Sequence, residues 1–197
     1  GVLSAAVHAT LRRLGTDRLD LLLVDLDDPA VEFEETLLAV DELILSGAVR
    51  WFGAAAHHGD RLVQARIASA QLGVAPMAAV QADYSLVARR GHELDTARIA
   101  RMQGLGVLAR SPLAGGFLGG RYRGRGDLPG GARRRPFGRL IGRGAHQVLA
   151  ALDRVGAELD AGPAVVALAW LLTRSDVVAP IVQVAAADQV VDLAAAD

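Results

Sequence analysis

The stretch "DLLLVDLDDP" (residues 20–29) joins two signals. Leu21, Leu22, Leu23 and Val24 form an unbroken apolar run of strand length, followed by Asp25, Asp27 and Asp28. A short continuous apolar run bounded by turn residues fits a strand covered on both faces, as in a parallel sheet wrapped by helices. Acids at its tip fit a strand whose C-terminal end opens onto a polar rim.

Working outward, helix and strand patterns alternate. "VLSAAVHATLRRLG" has helical spacing and ends at Gly15, a suitable C′ residue. "EFEETLLAVDELILSG" places Phe33, Leu37, Leu38, Val40, Leu43 and Ile44 on one helical face, with acids in its first turn where the dipole favours them. "VRWFGA", "MAAVQA", "GVLAR" and "VVAPIVQV" read as further strands. Between and after them "DRLVQARIASAQLG", "ELDTARIARMQGLG", "GAHQVLAALDRVGAELDAG", "PAVVALAWLLTR" and "ADQVVDLAAAD" read as helices, with Pro163 at a first helical position. Five strands, each followed by a helix, predict a single α/β domain over residues 1–197, either a doubly wound sheet or part of a (β/α)₈ barrel. No Gly-x-Gly-x-x-Gly turn follows any strand, which argues against a doubly wound dinucleotide-binding sheet.

Composition narrows the partners. With 52% hydrophobic residues the chain can build a core, and its net charge of -1 gives no general pull towards nucleic acid. No apolar run reaches the roughly 20 residues of a membrane-spanning helix. The first arginines follow the leading apolar residues, the reverse of a secretory signal. There is no cysteine, so a reducing cytoplasm is the expected compartment. There is also no lysine or asparagine; heavy use of Ala, Gly, Arg and Val suggests a GC-rich, actinobacterial source. The basic stretch "RYRGRGDLPGGARRRPFGR" (residues 121–139) reads as a solvated loop, with a grip on an anion as the alternative.

Six phrases resemble the aldo-keto reductase family: "LRRLGTDRLDLLLVD", "LILSGAVRWFGAAA", "VQADYSL", "GLGVLARSPLAGGFLGGRY", "AGPAVVALAWLL" and "VVAPIV". They stand in the family's order across nearly the whole chain. The resemblance implies a TIM barrel with its site at the C-terminal strand ends. It matches the family's fourth to eighth strands. The catalytic aspartate, tyrosine and lysine of the earlier strands have no counterpart: the chain lacks lysine, and neither Tyr84 nor Tyr122 lies in the catalytic tyrosine's motif. Five strands cannot close an eight-stranded barrel. The expected fold is therefore a partial or oligomer-completed TIM-barrel-like one, completed by an upstream segment or a second copy, with an open, rearranged sheet as a third possibility.

Position by position, the resemblance also implies an altered site. Asp25 stands where the family has a histidine that polarises the substrate carbonyl. Ala55 and Ala56 replace a serine and an asparagine that hold the nicotinamide amide. Gln81 matches the amide-binding glutamine. Arg110 replaces a tyrosine that stacks on the nicotinamide, and Gln183, Val184 and Ala185 stand where side chains grip the cofactor's phosphate.

On barrel logic, Asp25, Asp27, His57, His58, Gln81, Asp83, Tyr84 and Arg110 share one rim. Asp25, His57, His58, Asp83, Tyr84 and Arg110 are the candidate catalytic set for general acid–base chemistry. Bland readings stand beside these: Asp25 pairing with Arg110 as a structural replacement, diverging and solvated His57 and His58, inherited Asp83 and Tyr84, and Trp51 and Trp170 as packing residues. No metal is expected, since no ligand spacing accompanies Asp25 with His57 or His58. Three functions follow. The first is a small-molecule-binding relative that has lost NADPH-dependent reduction, needs no cofactor and performs a non-redox step, with a secondary-metabolite intermediate as one candidate ligand. The second is an NADPH-dependent carbonyl reductase, using Gln81, whose N-terminal part lies outside this sequence. The third is a non-catalytic binding subunit. A homo-oligomer or a missing N-terminal segment is the expected partner, with no nucleic acid and no membrane.

Overall fold

A computed structural model describes residues 1–26, 31–55, 59–123, 127, 143–184, 188–194 and 196. Helix α1 (Val2–Leu14) leads into β1 (Leu19–Val24), followed by α2 (Phe33–Leu45), β2 (Val49–Ala55), α3 (Gly59–Leu72) and β3 (Ala79–Asp83). Helix α4 (Ala97–Gln103), β4 (Gly106–Arg110), α5 (Arg143–Leu159), α6 (Pro163–Leu172), β5 (Val177–Ile181) and α7 (Asp188–Ala194) complete the order. The five strands form one sheet in sequential order, β1-β2-β3-β4-β5. Such an order has no point at which the chain reverses direction across the sheet, and so separates a barrel-type arrangement from a doubly wound one. The sheet is parallel, with Leu21 opposite Trp51, Leu23 opposite Gly53 and Ala55 opposite Gln81 in its registered pairs.

Local chemistry explains the boundaries. Gly15 ends α1 in the left-handed conformation (φ 66°), and its N–H donates to the Arg12 carbonyl. Arg12 and Arg13 lie in that last turn, and Glu34 and Glu35 in the first turn of α2, each favoured by the helix dipole. Pro163 opens α6, where its missing N–H removes no helical bond. The segment expected to begin α4 differs from expectation: His92–Thr96 is wound as a wider π-type turn before the α-helix begins. On α2, Leu37, Val40 and Leu43 are buried as expected, but Leu38 is exposed.

The residues fall into two compact units. One takes Gly1–Ala82 and Glu93–Val107, the other Asp83–His92 and Leu108–Asp197. In the first, Val7, Leu11, Leu43, Ala48 and Val49 form a core, with Leu22 packed against it. In the second, Phe117, Leu118, Tyr122, Leu149, Leu152 and Ala167 do so. Among the described residues no single helix is long and apolar enough to cross a membrane; only the pair His146–Leu159 and Pro163–Leu172, bent by 91°, reaches that length and composition together. Leu149, Leu152, Ala167, Leu168 and Leu171 of this pair are buried in the protein's own core.

Candidate functional site

In the first unit, strand alternation selects which residues share the face opposite Leu22. Leu21 and Trp51 form one row, and Leu23, Gly53 and Ala79 the next. Gly53 is required there: a Cβ would lie 2.6 Å from the Ala79 carbonyl oxygen and 3.0 Å from Leu23 Cδ2. One row further on, Ala55 faces Gln81. Val24 faces Ala54, so the same register continued one step past β1 sets Asp25 beside Ala55. Asp25 is exposed, while Ala55 and Gln81 are half-buried. Trp51, expected to pack in a core, is 52% exposed, because the face it shares with Leu21 is open.

Two residues of this unit were not singled out from sequence. Arg61, early in α3, donates from Nη2 to the Leu26 carbonyl (3.1 Å) and lies 4.0 Å over the Phe33 ring. It thereby holds both flanks of the β1–α2 connection. Asp95 accepts from the Gly59 N–H through Oδ2 at 2.9 Å. It supplies a carboxylate to the first turn of α3 from 36 residues away, where unpaired N–H groups and the helix dipole favour it. No local pattern announces such a long-range cap. The candidates Asp27, His57 and His58, together with Ala56 and Ala185, lie outside the described residues.

In the second unit, the last residues of β3 and β4 meet. Arg110 donates from Nε to Asp83 Oδ1 and from Nη2 to Oδ2, both at 2.8 Å. The Arg110 carbonyl also accepts from the Tyr84 N–H at 3.2 Å. The partner of Arg110's fork is therefore Asp83, not Asp25 as one sequence reading had it. Asp83 ends the adjacent strand and reaches the guanidinium with both oxygens. The hydrogen bond from Arg110 holds the Asp83 carboxyl below its ordinary range against the opposing effect of burial, and Asp83 in turn raises Arg110 above the usual arginine value.

Tyr84 does not stand open at a strand end. It is buried, with its ring 4.4 Å from His92 and 5.5 Å from Trp170 between centroids. His92 is buried too, and its Nε2 lies 2.9 Å from Asp176 Oδ2. The Nδ1 of His92 has no hydrogen-bond partner. Arg89 and Arg174 lie over Trp170 at 5.3 and 4.8 Å. Sequence alone offered no signal for His92, because Asp176 lies 84 residues away.

Comparison with known proteins decides the lineage. The sequence profile of the aldo/keto reductase family matches residues 2–196. The chain belongs to the aldo/keto reductase family. It is 36% identical over 174 residues to an uncharacterized oxidoreductase of Mycobacterium tuberculosis, covering 87% of this chain and 52% of the relative. An uncharacterized oxidoreductase of Bacillus subtilis is 32% identical over 176 residues, 89% of this chain and 52% of its own. A 6-dehydroglucose reductase of Agrobacterium fabrum is 29% identical over 184 residues, 92% of this chain and 52% of its own. The aldo/keto reductase chain described here thus spans about half the length of these relatives.

Of the positions that the family resemblance relates to nicotinamide binding, Gln81 carries an amide opposite Ala55, which has no polar side-chain atom; in the other unit, Arg110 has its guanidinium committed to Asp83.

Proposed function

We propose that this chain binds a small organic molecule at the C-terminal ends of its strands and promotes a non-redox acid–base step on it, such as cyclisation, isomerisation or dehydration, rather than hydride transfer. The closed Arg110–Asp83 pair carries this reading. A guanidinium held against a carboxylate is a charge-compensated polar pair and supplies no aromatic ring for a nicotinamide to stack on. Tyr84 and Tyr122 are both buried, and the chain has no lysine to tune a tyrosine proton donor. In the first unit Asp25 is the proposed base, with His57 and His58 as proton partners; in the second, Asp83, Arg110 and the buried Tyr84 are the other candidate residues. An actinobacterial, cytoplasmic setting in secondary metabolism belongs to the same reading. The exposed Leu21–Trp51 row supports a covering partner, a second copy or an upstream segment. Titrating NADPH and following its fluorescence tests the proposal: no submicromolar binding is expected, and such binding would sink it.

A second reading has its own support. Relatives named as oxidoreductases and a reductase, together with Gln81, favour NADPH-dependent carbonyl reduction in a protein of which these residues are one part. Its proton donor and lysine must then come from outside the 197 residues. Submicromolar NADPH binding decides for this reading.

A further inference from the structure

We propose that a pocket at the N-terminal ends of β1 and β2, the opposite end of these strands from Asp25 and Ala55, binds a phosphate group. Three segments of the first unit enclose it: one face of α1, the α1–β1 turn and the α2–β2 turn. His8, Leu11, Arg12 and Gly15 line it from α1 at the spacing of a single helical stripe. Arg18 and Ala48 line it from the two turns. Leu11 and Ala48 are buried, while His8, Arg12 and Arg18 stand exposed around them. Its volume of about 690 Å³ falls within the ~300–1,000 Å³ of small-molecule sites. The walls are held by backbone. Gly15 and Gly47 turn the chain in the left-handed conformation, at φ 66° and 78°. The Thr16 N–H donates to the Leu11 carbonyl at 3.2 Å, and the Leu19 N–H to the Ala48 carbonyl at 2.9 Å.

The lining selects an oxyanion. Among the described residues the Arg12 guanidinium has no hydrogen-bond or ion-pair partner. That of Arg18 meets only Asp20, at 4.0 Å, beyond hydrogen-bond reach. Each therefore keeps its fork of N–H donors for a ligand, and such forks match phosphate oxygens two at a time. His8 supplies a third group. Its Nδ1 lies 2.9 Å from the Ser4 carbonyl, which can only accept, so Nδ1 carries a proton and Nε2 is left for a ligand. A phosphate ester takes up its second proton at about pH 6 and can share it with that nitrogen. Sulfate stays fully ionised and has no proton to share. Asp17 and the negative ends of α1 and α2 oppose an anion. Arg13, in the last turn of α1, offsets the first of these ends, and in the lining two guanidiniums face one carboxylate. A cationic ligand would meet both guanidiniums instead.

Calorimetric titration of the whole chain with inorganic phosphate, glycerol 3-phosphate and sulfate, at matched ionic strength, tests this. Both phosphates are expected to bind about tenfold more tightly than sulfate. Arg12→Ala combined with Arg18→Ala should weaken both phosphates by about tenfold or more. Asp17→Asn should tighten them, and His8→Phe should remove the preference over sulfate. All four side chains are exposed, so circular dichroism should show every variant folded. Tighter binding of glycerol 3-phosphate than of phosphate would assign the pocket to a phosphorylated metabolite, and equal binding to phosphate itself. If neither phosphate binds, if sulfate matches them, or if the folded double-arginine variant binds phosphate like the parent, the inference falls. None of these outcomes touches acid–base chemistry at the other end of the strands.

Discussion

Arg110 ties the end of β4 to the end of β3 three times. Its side chain reaches both oxygens of Asp83 at 2.8 Å, and its carbonyl accepts from the Tyr84 N–H. Bidentate geometry makes this a directional clamp, but both side chains are about half exposed, at 44% and 55%. Solvent screening therefore limits its worth to about 0.2–1 kcal/mol. Asp83's carboxyl is lowered on folding, so its stabilisation is present above the unfolded carboxylate value, about 3.9, and is lost as pH falls through the lower folded value. Arg110 is shifted upwards, so its contribution stays constant across the neutral range. Thermal melts of the chain and of Asp83→Asn should differ by a small, salt-sensitive amount at neutral pH and converge in acid.

The His92–Asp176 pair should matter far more to folding. His92's side chain is 1% exposed and that of Asp176 13%, so water cannot replace a lost partner. His92→Ala would strand Asp176 and open a cavity beneath Tyr84. The expected loss is about 3 kcal/mol, read from urea unfolding. Asp176→Asn keeps a hydrogen-bonding group and should cost less. Equal, negligible losses in both variants would show the pair to be incidental.

Gly53 isolates a backbone effect. Its missing Cβ lets β3 approach: the added atom of Gly53→Ala would meet the Ala79 carbonyl, which cannot swing aside as a side chain would. Overpacking of this kind typically costs about 1–3 kcal/mol. Leu23→Ala, made together with Gly53→Ala, should not rescue it, because the closest clash is with backbone. Denaturant midpoints of the two variants check this.

Elements defined by local pattern were legible in the chain. The apolar run ending at Val24 and the glycine after α1 marked β1 and α1 correctly. What escaped the sequence depended on partners. Asp25 and Asp83 both end strands, and choosing between them for Arg110 required the knowledge that β3 and β4 are neighbours. Trp51 has the character of a core residue, yet register places it on an open face. His92 and Asp95 find their partners 84 and 36 residues away, and residues between such partners carry no periodic trace of the pairing. Helical spacing likewise could not show that the turn before α4 is wound wider than an α-turn.

Restoring the family's side-chain types tests whether the residues at positions 55 and 110 limit nicotinamide binding. Ala55→Ser would return a hydroxyl opposite Gln81, and Arg110→Tyr an aromatic ring. Releasing Arg110 strands little, because Asp83 is half exposed and returns to water. A recovered hydrogen bond contributes about 0.5–1.5 kcal/mol, and an aromatic contact a similar amount. The double variant should therefore bind NADPH about ten to a hundredfold more tightly than the parent chain, as read by fluorescence titration. Without a tyrosine and lysine to deliver a proton it should still reduce no carbonyl, measured by NADPH consumption at 340 nm. Unchanged affinity in the folded double variant would mean that positions 55 and 110 do not govern nicotinamide binding in this chain.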